Sequence, residues 1–205
     1  MNFKSFPEIK TERLLLRKIE ASDSDEILFL RSDTSVNKFI ERPENRKTKN
    51  KTDAVKFIYE INESFKKNKS ITWGITLKND SKIIGTICLW NFSKINKTAE
   101  IGYDLAPKYH GKGIMNEALK MIIDFGFKEL KLYKIEALTH VDNENSRRLL
   151  ENNGFLFIKD RKDIDNESNI IFELENACEY FGSFCASVIG RVCARHIGSN
   201  CANFS

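Results

Sequence analysis

The chain has 205 residues, 41% of them hydrophobic and 30% charged, with a formal net charge of +4. That length and balance fit one globular domain with a single core. They exclude a membrane-spanning helix, because no run approaches the roughly 18 apolar residues that a span needs. A pI near 8.7 and a mean hydropathy of -0.41 suit a polyanionic small-molecule partner and make no case for nucleic acid.

In chain order, the first ten residues hold no continuous apolar stretch, so no signal peptide is read and a cytoplasmic protein is expected. Residues 11–18 (TERLLLRK) read as a strand. Ser22, Asp23, Ser24 and Asp25 resemble a helix start, with Ile27, Leu28 and Leu30 following. A second short helix is expected over residues 35–40, before Pro43 interrupts. The basic run at residues 46–51 has no aromatic interleaving and reads as an exposed loop. Thr52 and Asp53 look like a cap, after which Val55, Ile58, Tyr59, Ile61 and Phe65 recur at helical spacing to about Lys67.

The period then changes. Residues 71–77, 82–91 and 98–105 are rich in Ile, Thr, Trp and Tyr and are separated by turn-prone runs, which predicts a three-stranded antiparallel meander. A long helix is expected from Gly111 to about Leu130, with Met115, Ala118, Leu119, Ile122, Ile123 and Phe127 on its apolar face. Residues 133–141 read as a strand and 143–152 as a helix; a strand opens at Gly154 and Phe155, and a last one covers 168–174. This order predicts an α/β (α+β) fold, a sheet with helices on both faces. From Glu175 the composition shifts toward Ser, Gly, Ala and Cys, so residues 1–174 are taken as the domain and 175–205 as a tail. Cys178, Cys185, Cys193 and Cys201 all lie in that tail, where Cys178, Phe181, Cys185, Val188 and Val192 would share one helix face. With no C-x-x-C pair and three scattered histidines (His110, His140, His196), no metal site is expected.

The most informative segment is residues 100–119, EIGYDLAPKYHGKGIMNEAL. A strand ends at Leu105 and a helix opens at Gly111-Lys112-Gly113, which is the physical description of an anion site. The first N–H groups of a helix lack internal partners, and the dipole places partial positive charge there. Side-chain-free glycines admit a phosphate to the backbone, and Lys108 and Lys112 add mobile positive charge. A P-loop is excluded because Ile114 follows Gly113. A Rossmann fingerprint would need glycine where Asn116 stands, although Glu136 lies at the expected distance beyond it. A helix start with incidental glycines also fits this loop taken alone.

The loop K-Y-H-G-K-G resembles the pyrophosphate loop of the GNAT acetyltransferases, (Q/R)-x-x-G-x-(G/A), with Lys108 replacing Gln or Arg. Asn143 through Ser146, followed by a helix and Gly154-Phe155, resembles the family's second cofactor segment. The opening T-E-R-L-L-L-R is similar to that of the ribosomal-protein (RimJ/RimL-like) branch. The resemblance covers roughly residues 9–174. It implies a mixed, mainly antiparallel, splayed central sheet flanked by helices, with acetyl-CoA as co-substrate and an amine as acceptor.

Residue by residue, the resemblance implies backbone pairing of Tyr103, Asp104 and Leu105 with the pantetheine arm, and a contact from the Asn143 amide. The pyrophosphate would rest on the N–H groups of His110, Gly111, Lys112, Gly113, Ile114 and Met115, with Lys108 nearby. Glu100 is the candidate base. Many relatives place a tyrosine where this chain has Leu150; the RimJ/RimL-like branch instead has a serine matching Ser146, which the resemblance makes the candidate acid for the leaving thiolate. Arg147 and Arg148 are candidates for the adenosine 3′-phosphate, and His110 is assigned a packing role. Trp73, Trp90 and Phe92 are expected in the sheet, one of them facing the acceptor pocket.

The expected acceptor is a protein N-terminal amine. A polyamine or aminoglycoside is the enzymatic alternative, and a non-catalytic acetyl-CoA-binding module the alternative of another class. An acidic cleft built from Glu41, Glu44, Glu60 or Asp104 would favour the polyamine. A homodimer is compatible with the composition.

Overall fold

A computed structural model of the chain describes residues 5–176. Eight strands form one sheet in the order β1-β2-β3-β4-β5-β6-β8-β7. The strands are β1 (Ile9–Lys10), β2 (Leu14–Arg17), β3 (Ile71–Leu77), β4 (Ile83–Ser93), β5 (Thr98–Leu105), β6 (Lys134–His140), β7 (Leu156–Phe157) and β8 (Asn169–Glu175). Four helices, α1 (Ser24–Ser32), α2 (Lys51–Lys66), α3 (Ile114–Lys128) and α4 (Glu144–Asn152), flank it. Every strand pair is antiparallel except β5 with β6, which α3 connects in parallel. The meander β3-β4-β5 and the mixed sheet are as expected. The residues from 177 onward, including the four tail cysteines, lie outside the described residues.

The strand alternation decides which helices cover which face. Trp73, Ile75, Ile87, Leu89, Ala99 and Ile101 point to one side, where Met115, Ala118, Leu119 and Ile122 of α3 and Leu150 of α4 close the main core. The hydrophobic spacing read for α3 is thus a buried stripe. On the other side α1 and α2 bury Ile27, Leu30, Ala54 and Ile58 against Ile19 and Ile83. Trp73 is fully buried, donates its indole N–H to the Pro7 carbonyl (2.6 Å) and meets Phe125 edge-on.

Three local expectations are corrected. Residues 34–39 form turns in place of a helix. Asp33 Oδ1 accepts from the Ser35 and Val36 N–H groups (2.9 and 3.1 Å), and this side-chain bonding competes with the helical ladder. Helix α2 is capped by Asn50, whose side chain accepts from the Asp53 N–H, while Asp53 itself takes the Lys49 N–H. Helix α3 begins at Ile114, not Gly111, because Gly111 and Gly113 both adopt left-handed conformations (φ 71° and 72°) that a helix cannot include.

The sheet is interrupted at one place. Pairing of β5 with β6 ends at Ile101↔Ala137. Beyond it β5 follows β4 to Leu105, while β6 follows β8 to His140. Two strand ends therefore diverge, leaving a gap beside the start of α3.

Candidate active site

The free end of β5 offers hydrogen-bonding groups to that gap. The Ala106 N–H donates to the Ile84 carbonyl (2.8 Å), so alternation directs the Asp104 main chain toward β4 and those of Tyr103 and Leu105 into the gap. The Leu105 carbonyl is already taken, since the His110 ring donates from Nε2 across 2.9 Å. His110 thus braces the strand end, in keeping with its expected structural role. Of the three residues expected to offer main-chain groups, Tyr103 presents both and Leu105 its N–H, whereas Asp104 faces β4.

Past the strand, Pro107–Tyr109 form a single 3-10 turn closed by the His110 N–H onto the Pro107 carbonyl (3.0 Å). The amide of His110 is used there, so the series available to an anion starts at Gly111 and runs through Lys112, Gly113, Ile114 and Met115. The first intrahelical bond is Glu117 N–H to Gly113 O (3.0 Å), leaving the preceding amides of α3 at the helix's positive end. A Cβ on Gly111 would meet nothing within 4 Å, so the backbone there is an open cradle of the kind a pyrophosphate requires. Lys108 and Lys112 are exposed, each with its ammonium over the Tyr109 ring (4.8 and 5.6 Å from the centroid). These features fit a pyrophosphate.

The T-E-R opening has a structural purpose that spacing did not disclose. Glu117, in the first turn of α3, accepts from the Thr11 hydroxyl and from Arg13 Nε (2.7 Å). Arg13 also donates to the Lys112 carbonyl (3.1 Å). The strand β2 approach therefore pins the loop and the helix start in one position. Asn116, at the position a Rossmann motif reserves for glycine, accepts instead from Asn153 (2.8 Å) and ties α3 to the end of α4.

On the α3/α4 side of the gap, Asn143 caps α4 by accepting the Ser146 N–H (3.2 Å). Ser146 is buried, and its Oγ lies 2.8 Å from the Tyr103 hydroxyl. Burial pushes the Tyr103 phenol up to about 12 against the opposing pull of that hydrogen bond. The side chain of Tyr103 was missed from sequence: 43 positions separate it from Ser146, and no spacing rule joins them. Leu150, at the family's tyrosine position, is fully buried in the core. Arg147 donates to the Val141 carbonyl (3.3 Å), and Arg148 pairs with Glu144 on the surface (3.0 Å).

On the opposite face lies Glu100, in register with Trp90 of β4 and Glu136 of β6. Burial raises its pKa, partly offset by a hydrogen bond donated from Asn91, which sits at the β4 bulge with φ 50°. Trp90 is 46% exposed, so of the three expected aromatics it is the one that borders this face. Next to Glu100, Glu136 and Glu173 are bridged by Lys134 (2.9 Å each) and by Arg161. Desolvation raises the Cys88 thiol to about 12. Among the described residues, no group of His, Cys, Asp and Glu could hold a metal ion. No helix among them is long and apolar enough to cross a membrane.

The profile of the acetyltransferase (GNAT) domain matches residues 13–156. An uncharacterized N-acetyltransferase of Bacillus subtilis (strain 168), YoaA, is 31% identical over 152 residues, spanning 73% of this chain and 83% of its own length. The spermidine N(1)-acetyltransferase of Escherichia coli (strain K12) is 30% identical over a shorter stretch of 76 residues, 37% of this chain and 41% of its own length. Among solved structures, a ribosomal-protein-S5-alanine acetyltransferase from Vibrio fischeri superposes with a TM-score of 0.72 at 25% identity, covering 83% of this chain and 97% of the other.

Proposed function

The chain belongs to the GNAT acetyltransferase family, and from that premise we propose that it moves the acetyl group of acetyl-CoA onto the amino terminus of a polypeptide. The observation that carries this is the gap between β5 and β6, with a carboxylate on one face of the sheet and a hydroxyl pair on the other. Acetyl-CoA supplies the activated acetyl group. The amides from Gly111 to Met115 hold its pyrophosphate, and the Tyr103 and Leu105 main chain aligns its arm as an added strand.

Glu100 takes a proton from the incoming ammonium. Burial raises its pKa, which makes it a stronger base than an exposed carboxylate. The Ser146 hydroxyl delivers a proton to the departing thiolate, and Tyr103 stands behind it as the next donor.

The acids that would attract a polyamine are engaged elsewhere, which supports the peptide over that alternative. Glu44 pairs with Lys47 and Lys49 (2.8 and 2.5 Å), and Glu60 faces Lys56 (4.0 Å). Glu41 accepts from Asn166 (3.1 Å), and Asp104 accepts from Thr86 N and Oγ1 (2.9 and 3.0 Å). The test is thiol release from acetyl-CoA across N-terminal peptides, spermidine, spermine and aminoglycosides. Peptides are expected to give the highest kcat/KM. Turnover confined to the small amines would reassign the acceptor, and tight acetyl-CoA binding with no turnover would favour a silent module.

A further inference from the structure

The linker between α1 and α2, residues 33–50, borders a cavity of about 400 Å³ that the acetyl-transfer chemistry does not use. The linker reaches across to the far side of the gap. Phe39 packs on His140 at the end of β6 (5.4 Å between rings), and Glu41 holds Asn166 in the β7–β8 connection. Arg31 and Arg42 line the cavity, and both feel the charge of Asp104 on the free end of β5. The cavity wall therefore lies within electrostatic reach of the free end of β5.

Charge pairing in the cavity wall leaves three arginines over, and of these Arg46 is exposed whereas Arg31 and Arg42 are partly buried. Glu41 serves Asn166, Asp53 serves the Lys49 N–H (2.9 Å), and Glu60 faces Lys56. Arg31 donates only to neutral oxygens, Thr48 Oγ1 and the Arg46 carbonyl (2.8 Å each), and lies 3.7 Å over the Phe57 ring. Arg42 donates to Asn37 Oδ1. Among the described residues, neither meets a carboxylate in an ion pair. Burial lowers the pKa of both, and the charge of Arg42 further lowers that of Arg31, to about 10. Two partly buried like charges are an unfavourable arrangement that a bound oxyanion relieves, with guanidinium forks suited to the geometry of carboxylate or phosphate.

We propose that this cavity is an oxyanion subsite in which Arg31 and Arg42 hold a carboxylate of the acceptor, close to the amine that is acetylated. On the peptide reading above, on which the source of that carboxylate rests, the acceptor is an amino terminus with an acidic residue within its first few positions. The experiment has two arms. In the first, the protein is saturated with CoA so that the pyrophosphate loop is filled, and inorganic phosphate is titrated during thermal melts. Phosphate is expected to raise the Tm of the wild type and to leave Arg42→Gln unmoved.

In the second arm, kcat/KM is compared for peptides that differ only by Asp or Asn at positions two and three. The acidic peptide is expected to be preferred by about tenfold or more, as a charge-assisted contact would give. That ratio should fall toward one in Arg42→Gln. Unchanged acetyl-CoA affinity verifies that the variant is folded. If it is not, Arg42→Lys replaces it and should retain part of the preference. Equal rates on acidic and neutral peptides overturn the proposal whatever phosphate does. If no peptide turns over, the phosphate arm decides. Arg42-dependent protection then keeps the subsite, withdraws the peptide and points to a small acidic amine, whereas protection absent or equal in both proteins removes the subsite.

Discussion

At the scale of single residues, Ser146 and Tyr103 form a hydrogen-bonded pair. Their oxygens lie 2.8 Å apart, and the phenol, pushed up to about 12, keeps its proton through the neutral range. A proton passed from Ser146 to a thiolate can therefore be replaced from behind. Ser146→Ala is expected to lower kcat by about 10- to 100-fold, toward the low end of general acid–base effects. Tyr103→Phe should cost less, and the double variant no more than Ser146→Ala alone, because the groups work in series. Steady-state rates of the three variants check this, and losses that multiply would mean independent roles. The sequence pointed to Ser146 through the resemblance, in which Leu150 stands at the family's tyrosine position. It could not point to the Tyr103 side chain, whose partner is set by the approach of α4 to β5.

Among the secondary-structure elements, the β6–β8 ribbon carries the densest charge pairing. Burial would raise the Glu136 carboxyl, but hydrogen bonds from Arg161 and Lys134 outweigh it and bring it down to about 2. A depressed carboxylate stabilises the fold fully above its unfolded pKa, and that contribution is lost as pH falls through the folded value. The window runs from about 4.5 down to about 2. In thermal melts, Glu136→Gln is expected to have a lower Tm than wild type at pH 7 and a smaller further loss across that window. Parallel pH dependences for the two proteins would contradict the assignment.

The elements themselves were largely legible, because β6 alternates strictly between buried and half-buried positions and α3 buries one stripe at helical spacing. The misread stretches were those where local side-chain bonds or glycine conformation decide the outcome. Asp33 turns the chain after α1, Asn50 caps α2 two residues before the expected Thr52, and two left-handed glycines delay α3. Periodicity is blind to all three. The T-E-R opening was legible as a pattern but not as a clamp, since Thr11 and Arg13 reach Glu117 across more than a hundred positions.

At the scale of the described residues as a whole, the sheet opens where β5 parts from β6. Helices α3 and α4 cover one face, α1 and α2 cover part of the other, and the divergence of β5 from β6 lets the two sides meet. In the proposed mechanism, Glu100 on the face opposite Ser146 would separate removal of a proton from the amine and its delivery to the thiolate. The most direct test of that arrangement is the rate of thiol release from acetyl-CoA with a peptide acceptor, measured from pH 6 to 9 for wild type and Glu100→Gln, on the order of tenfold or more being the separation expected near pH 7. The gap should narrow as pH rises, because solvent then deprotonates the amine and the base is less needed. Equal rates for the two proteins across that range would contradict Glu100 as the base.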